Sequence, residues 1–213
     1  MGIGEFLFLI KGLQWTLALS AIGFAGGTAM GLAVALARTS GIRLLERATA
    51  GYIAVFQGTP LLMQLFVVYY GLALTGVKLD AWAAVAIGFT LHASAYLGEI
   101  WRGSIEAVPR GQVEAAKALS LGYVARTKDV ILPQALRISL PATIGFLVQL
   151  IKGTSLAAIV GFTELARAGS IVSNQIFQPL LVFGIVGALY FALCWPLSLY
   201  GSRLERQFAV AVR

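Results

Sequence analysis

Charged residues divide this chain into long apolar runs, and those runs set the helices it can form. No charge falls between Lys11 and Arg38, which leaves 26 uncharged residues. A helix needs about 20 residues to cross the hydrocarbon core of a bilayer, so this run predicts a first span. A second run of 30 uncharged residues lies between Arg47 and Lys78. A third takes the 18 residues from Ala81 to Gly98, between Asp80 and Glu99. A fourth starts at Pro133, but only 14 uncharged residues separate Arg137 from Lys152, and eleven more run from Gly153 to Thr163. The fifth, Pro179 to Ser202, is apolar and aromatic, with Pro196 placed to kink it. The pattern predicts an all-α polytopic membrane protein with five transmembrane helices, residues 1–213 forming a single transmembrane domain.

Between the third and fourth runs lies a polar island, Glu99 to Pro133. Counted as far as Arg137, it carries six of the sixteen basic residues and four of the nine acids. An island this long predicts a structured loop (about 99–133) on one side of the membrane, able to meet a partner. Pro109-Arg110-Gly111 breaks the preceding helix, since proline removes a backbone donor and glycine adds freedom. A short helix is expected to restart near Gln112, with Glu114 in its first turn, where a negative charge suits the helix dipole. Ala115, Ala116 and Ala118 keep that helix thin enough for another surface to approach. Gly122 is expected to end it, and Pro133 to start the next long helix.

Composition agrees. The chain is 59% hydrophobic and 12% charged, with a mean hydropathy of +0.85, more apolar surface than a soluble domain can hide. Its formal charge of +7 reads as topology. The loop after the first span (Arg38, Arg43, Arg47), the central island and the tail (Arg203, Arg206, Arg213) hold twelve basic residues. The opposite side holds four: Lys11, Lys78, Lys152 and Arg167. Basic residues stay on the cytoplasmic side, so the N-terminus is expected outside and the C-terminus and central island in the cytoplasm. The start carries Glu5 and Lys11 without a basic n-region and cleavage site, so no cleavable signal is expected. A single Cys194 excludes an intrachain disulfide. No nucleotide-cradling Gly-rich Lys loop, no metal-spaced His/Cys/acid cluster and no Ser-His-acid set stands in the sequence, which predicts no catalytic residues, no metal and no cofactor bound by this chain. Nothing suggests a nucleic-acid surface, and few acids and one histidine leave no obvious proton relay.

Several residues at membrane depth change the picture further. Gly23, Gly27 and Gly31 put a smooth stripe on one helix face, where another helix, preferably of the same chain, can pack closely. Gly58 and Pro60 break or bend the second span near its cytoplasmic side. The simpler reading there is a Pro-kinked helix with Gln64 satisfied internally; the other puts Gln64 on a substrate path. The third span holds His92, with Ser94 and Tyr96 near it, and intramembrane polar groups face a protein interior or an aqueous path. His92 therefore lines a route or bonds to a neighbouring helix as a neutral imidazole. Lys152-Gly153-Thr154-Ser155 interrupts the fourth span. Either the helix loosens at depth, as substrate paths in transporters do, or Lys152 marks the outer end of a short span and Gly153 starts a loop. Glu164, Arg167, Ser170, Ser173, Asn174, Gln175 and Gln178 read as an external polar segment. Gln64, His92, Tyr96, Glu99, Gly153, Thr154 and Ser155 make up the candidate substrate path.

Three motif blocks, in order, resemble the membrane subunits of ABC importers. Glu114-Ala115-Ala116, a small residue six on from the Glu, and Leu132-Pro133 are similar to the "EAA" loop of that family. Phe56-Gln57-Gly58-Thr59-Pro60-Leu61-Leu62-Met63-Gln64-Leu65-Phe66 resembles the signature of its polar-amino-acid branch, as does Ala95-Tyr96-Leu97-Gly98-Glu99 with Arg102-Gly103. The chain departs from the pattern at Gln57 (usually Arg), Ser120 (usually Gly), His92 (often Asn) and Gly153 (often an acid). The resemblance covers nearly the whole chain and implies a type I importer-like permease in a bacterial inner (plasma) membrane. It implies a coupling helix, carried by Gly111, Glu114, Ala115, Ala116, Ser120, Gly122 and Pro133, that docks on a separate ATPase. It further implies two ABC ATPase subunits holding ATP and Mg, a second permease subunit (identical or paralogous), an external substrate-binding protein and an amino acid substrate. The missing acid at Gly153 argues against cationic cargo. The rival readings are a membrane channel or a scaffold subunit not driven by ATP.

Overall fold

A computed structural model describes residues 1–210, with side chains through residue 208; Arg213 of the basic tail lies outside them. All its regular elements are helices: α1 (Ile3–Arg38), α2 (Arg43–Gly58), α3 (Leu61–Leu74), α4 (Ala81–Glu106), α5 (Arg110–Ala118), α6 (Tyr123–Val160), α7 (Leu165–Ile176) and α8 (Pro179–Val210). Four of them, α1, α4, α6 and α8, are long and apolar enough to cross a bilayer, and the α2–α3 pair makes a fifth if counted as one span.

The most extensive packing joins α1 to α4, and glycine makes it so close. A β-carbon on Gly23, Gly27 or Gly31 would stand 2.9, 2.3 or 3.0 Å from the β-carbons of Phe89, Ala93 and Leu97. Both rows step by four residues, so the smooth ridge of one helix lies along the matching ridge of the other. The stripe's partner is thus in the same chain. Around this pair one core gathers Leu19, Leu65, Val85, Phe89, Phe146 and Leu150. A second, of Leu9, Leu165, Ala168, Val172, Val182 and Val186, joins α1, α7 and α8. Gly12 of α1 fits against Ala168 there.

The structure refines the element boundaries read from the sequence. The helix of the third span runs on past Gly98 to Glu106, just short of the break expected at Pro109-Arg110-Gly111: Glu99 and Arg102 pair on the same helix face, and Arg102 also meets Glu106. The break at Gly58-Thr59-Pro60 lies nearer the Arg47 end of its apolar run, ten residues from one end and seventeen from the other, and it is an elbow of 106°. Proline forces its predecessor out of the helical region, and Thr59 is extended, with ψ 142°. Regular α-helix resumes at Leu132 with Pro133 in its first turn, as expected, yet the chain is already helical from Tyr123 through a π-helical stretch, Arg126–Ile131. At Lys152–Ser155 the chain neither unwinds nor enters a loop. It tightens into a 3-10 turn, Thr154–Val160, that closes on Gly161 in the left-handed region (φ 89°). The polar segment after Glu164 is a packed helix, α7, with Leu165, Ala168 and Val172 buried.

Candidate functional site

The α2–α3 elbow creates the site. Breaking a helix frees backbone carbonyls that must find donors away from water. The Gln64 side chain supplies them: its Nε2 donates to the carbonyls of Phe56 (2.7 Å) and Thr59 (3.0 Å) and meets Thr59 Oγ1 at 3.1 Å. Its Oε1 lies 3.0 Å from Nδ1 of His92 on α4. Gln64 is therefore satisfied internally and buried, behind His92. His92 in turn stacks near Tyr96 (4.5 Å between centroids), and Tyr96 near Phe146 of α6 (5.4 Å).

In front of this row opens a cavity of about 480 Å³, lined by Gln57, Gly58, Thr59, Pro60, Leu61, His92, Tyr96, Phe146, Gln149, Leu150 and Gly153. Among the described residues no Asp, Glu, Lys or Arg lines it. Gln57 and Gly153, two positions where the family resemblance expects a charge, both face this cavity and are neutral. A groove of about 610 Å³ between α6 and α8 is larger, but mostly apolar.

Of the candidate substrate-path residues, His92, Tyr96 and Gly153 come together here and Gln64 backs them. His92 both lines the cavity and bonds to a neighbouring helix, so the two readings of it coexist. The other three stand elsewhere. Glu99 is held by Arg102 in a two-pronged ion pair and does not line the cavity. Thr154 is fully buried, its hydroxyl donating to the Ile151 carbonyl at 2.7 Å. Ser155 donates to the Lys152 carbonyl at 2.9 Å. Phe146 and Gln149 escaped the sequence reading. Counting back from Gly153 along one helix face, by four and then three residues, would have reached both.

The polar island carries the second feature. Helix α5 begins at Arg110 with Pro109 as its cap, two residues earlier than expected, so Glu114 falls in the second turn and gains little from the helix dipole. The helix ends at Ala118, not at Gly122. Ser120 adopts φ 56°, its N–H bonds to the Lys117 carbonyl (2.9 Å), and the Leu121 N–H to that of Ala116 (3.1 Å). This is the left-handed helix stop that glycine favours, which explains why glycine would suit the position. Gly122 instead caps the start of α6. Gly111, Glu114, Ala115, Lys117, Ala118 and Pro133 are exposed, whereas Ala116 is buried and unavailable to a partner.

A third feature was not anticipated. Glu164 is fully buried at the start of α7. Its carboxylate accepts from the N–H groups of Ala166 (2.9 Å) and Arg167 (2.8 Å), from Tyr190 Oη (2.8 Å) and, weakly, from Thr16 Oγ1 (3.4 Å). Arg167 reaches back to the Ala158 carbonyl (2.9 Å), tying α7 to the 3-10 turn beyond Gly153. An acid followed by apolar residues at Leu165, Ala168 and Val172 is a helix-start pattern, and that signal was present in the sequence.

An elbowed helix over an uncharged cavity, and a short exposed helix held between two spans, are features that suit a membrane transport subunit. The family model for the "binding-protein-dependent transport system inner membrane component" matches residues 27–207, and the chain belongs to that family. It is a multi-pass inner-membrane permease of the ABC importer class, in which ATP hydrolysis resides on a separate subunit. Similar chains include a probable amino-acid ABC transporter permease of Bacillus subtilis (strain 168), 36% identical over 98% of this chain and 92% of that one. The L-cystine transport system permease of the same organism is 36% identical over 93% and 86%. A solved amino acid ABC transporter with histidines matches with a TM-score of 0.89 and 33% identity over 96% of each chain. An inward-facing methionine ABC transporter shares the fold, with a TM-score of 0.77 at 21% identity.

Proposed function

We propose that this chain imports polar amino acids, its cavity forming part of the translocation path and α5 coupling it to ATP hydrolysis on a partner. The reading keeps residues 1–213 as one permease domain with the N-terminus outside and α5 in the cytoplasm, in accord with the distribution of basic residues. Two ATPase subunits carrying ATP and Mg dock on α5 of this chain and of a second permease, and an external binding protein delivers the amino acid. The chain itself holds no cofactor.

The observation that carries the reading is the place of α5 in the chain. It stands between the ends of α4 and α6, and both of those helices line the cavity. From Tyr123 to Phe146 is about 35 Å of helix at 1.5 Å per residue. A shift of α5 when the ATPases close therefore tilts α6 and moves Phe146, Gln149 and Gly153 against His92 and Tyr96. The energy for that motion comes from contacts that ATP makes in only one state. The test is a gentle pull-down from native membranes with ATPase and amino-acid uptake assays. An ATPase is expected to co-purify, and Glu114→Lys, which reverses the charge on the exposed face of α5, is expected to weaken ATP-driven uptake. Full uptake by an assembled Glu114→Lys complex would overturn the coupling role.

A further inference from the structure

We propose that Nε2 of His92, fixed as a bare hydrogen-bond acceptor, selects the cargo, so that the cavity takes amino acids whose uncharged side chain offers an N–H or O–H donor, carboxamides above all. This rests on the reading of the cavity as part of the translocation path.

The argument starts at the elbow. Gln64 points one end of its amide at two carbonyl oxygens, of Phe56 and Thr59. A carbonyl only accepts, so that end is the NH2 group, and the amide is oriented without ambiguity. The other end, Oε1, is then the atom facing His92 Nδ1 at 3.0 Å. An amide oxygen also only accepts, so Nδ1 carries the proton. A neutral imidazole has one N–H, which leaves Nε2 with its lone pair free. Among the described residues Nε2 has no hydrogen-bond partner, and it is not among the buried unpartnered atoms either. It is open to a ligand in the cavity that His92 lines.

The rest of the lining sets the charge of that ligand. Every amino acid brings the same α-ammonium and α-carboxylate, so discrimination falls on the side chain. A cationic or anionic side chain entering this site leaves water with no opposite charge to meet it among the described lining residues. A carboxamide gives up less. Its NH2 donates to His92 Nε2, and Gln57 and Gln149, which make no side-chain hydrogen bond among the described residues, offer both donors and acceptors. His92, Tyr96 and Phe146 add an aromatic side to the same cavity.

The experiment measures equilibrium binding to the purified permease–ATPase complex without its binding protein, using radiolabelled L-glutamine, L-asparagine, L-arginine, L-lysine and L-glutamate. The two carboxamides are expected to bind at least about tenfold more tightly than the three charged amino acids, the effect of one well-placed hydrogen bond. His92→Phe keeps a ring in the row and removes the acceptor; it should erase most of that preference. His92→Asn restores an acceptor oxygen and should recover part of it. Charged amino acids binding as well as carboxamides, or an unchanged preference in His92→Phe, would overturn the proposal while leaving the path itself intact. Binding of all five that is unaffected by Phe146→Trp, which narrows the cavity beside His92 and Tyr96, would instead remove the path reading on which it rests.

Discussion

Glu164→Ala tests how much of the helix packing hangs on one buried acid. The substitution strips four donors of their acceptor: the N–H groups of Ala166 and Arg167, the Tyr190 hydroxyl and the more distant Thr16 hydroxyl. Losing the side-chain cap of α7 costs about 1 kcal/mol, within a range of roughly 0.5–2. Leaving the Tyr190 hydroxyl unpaired between α7 and α8 costs about 1–3 kcal/mol more. Together the loss is about 1.5–5 kcal/mol, which in a chain of this length corresponds to a melting temperature lower by about 3–20 °C. Thermal unfolding of the detergent-solubilised complex, followed by Trp fluorescence, reads it. Glu164→Gln conserves the volume but retains one acceptor oxygen, so it is expected to lose roughly half as much. Tyr190→Phe alone should cost about 1 kcal/mol, and less in the Glu164→Ala background, because the two changes remove the same bond. A Glu164→Ala protein melting within about 2 °C of the original, a shift worth under about 1 kcal/mol, would refute this accounting of the Glu164 hydrogen bonds.

Substitutions at three other joints give further predictions. Gly27→Leu puts a β-carbon 2.3 Å from that of Ala93, with backbone of Ala93 and Ser94 just behind, so α1 must move off α4; a loss of about 3 kcal/mol or more is expected in the same melt, whereas Gly51→Leu, with open space around it, should change little. Ser120→Gly relieves a left-handed residue at φ 56°, and after the added chain entropy of glycine it should stabilise by about 0.5–1 kcal/mol without lowering uptake, while Ser120→Val should destabilise by about 1–2 kcal/mol. Gln64→Met leaves the Phe56 and Thr59 carbonyls without a donor at the elbow, and a loss of about 1–3 kcal/mol is expected, with any gain in stability counting against the elbow argument.

The legible part of this chain is what a bilayer imposes locally. Uncharged runs long enough to cross it gave the spans, proline and glycine at Gly58-Thr59-Pro60 gave the break, and the glycine stripe announced a close neighbour, because each of these is a property of consecutive residues or of one helix face. The exposed segment around α5 was legible as a polar island, but its helix ends were not, since Pro109 caps one end and a left-handed Ser120 closes the other. What only the tertiary structure decided is which side chains meet. Gln64 and His92 are 28 positions apart, and nothing in either span says that the amide of one fixes the tautomer of the other. Glu99 looked like a path residue until Arg102, one turn on, claimed it. Glu164 looked like a polar surface residue until Thr16, 148 positions away, and Tyr190 closed around it. Sequence periodicity specifies the face of a helix; the pairing of faces depends on how closely two backbones can approach, and that distance is set jointly by residues far apart in the chain.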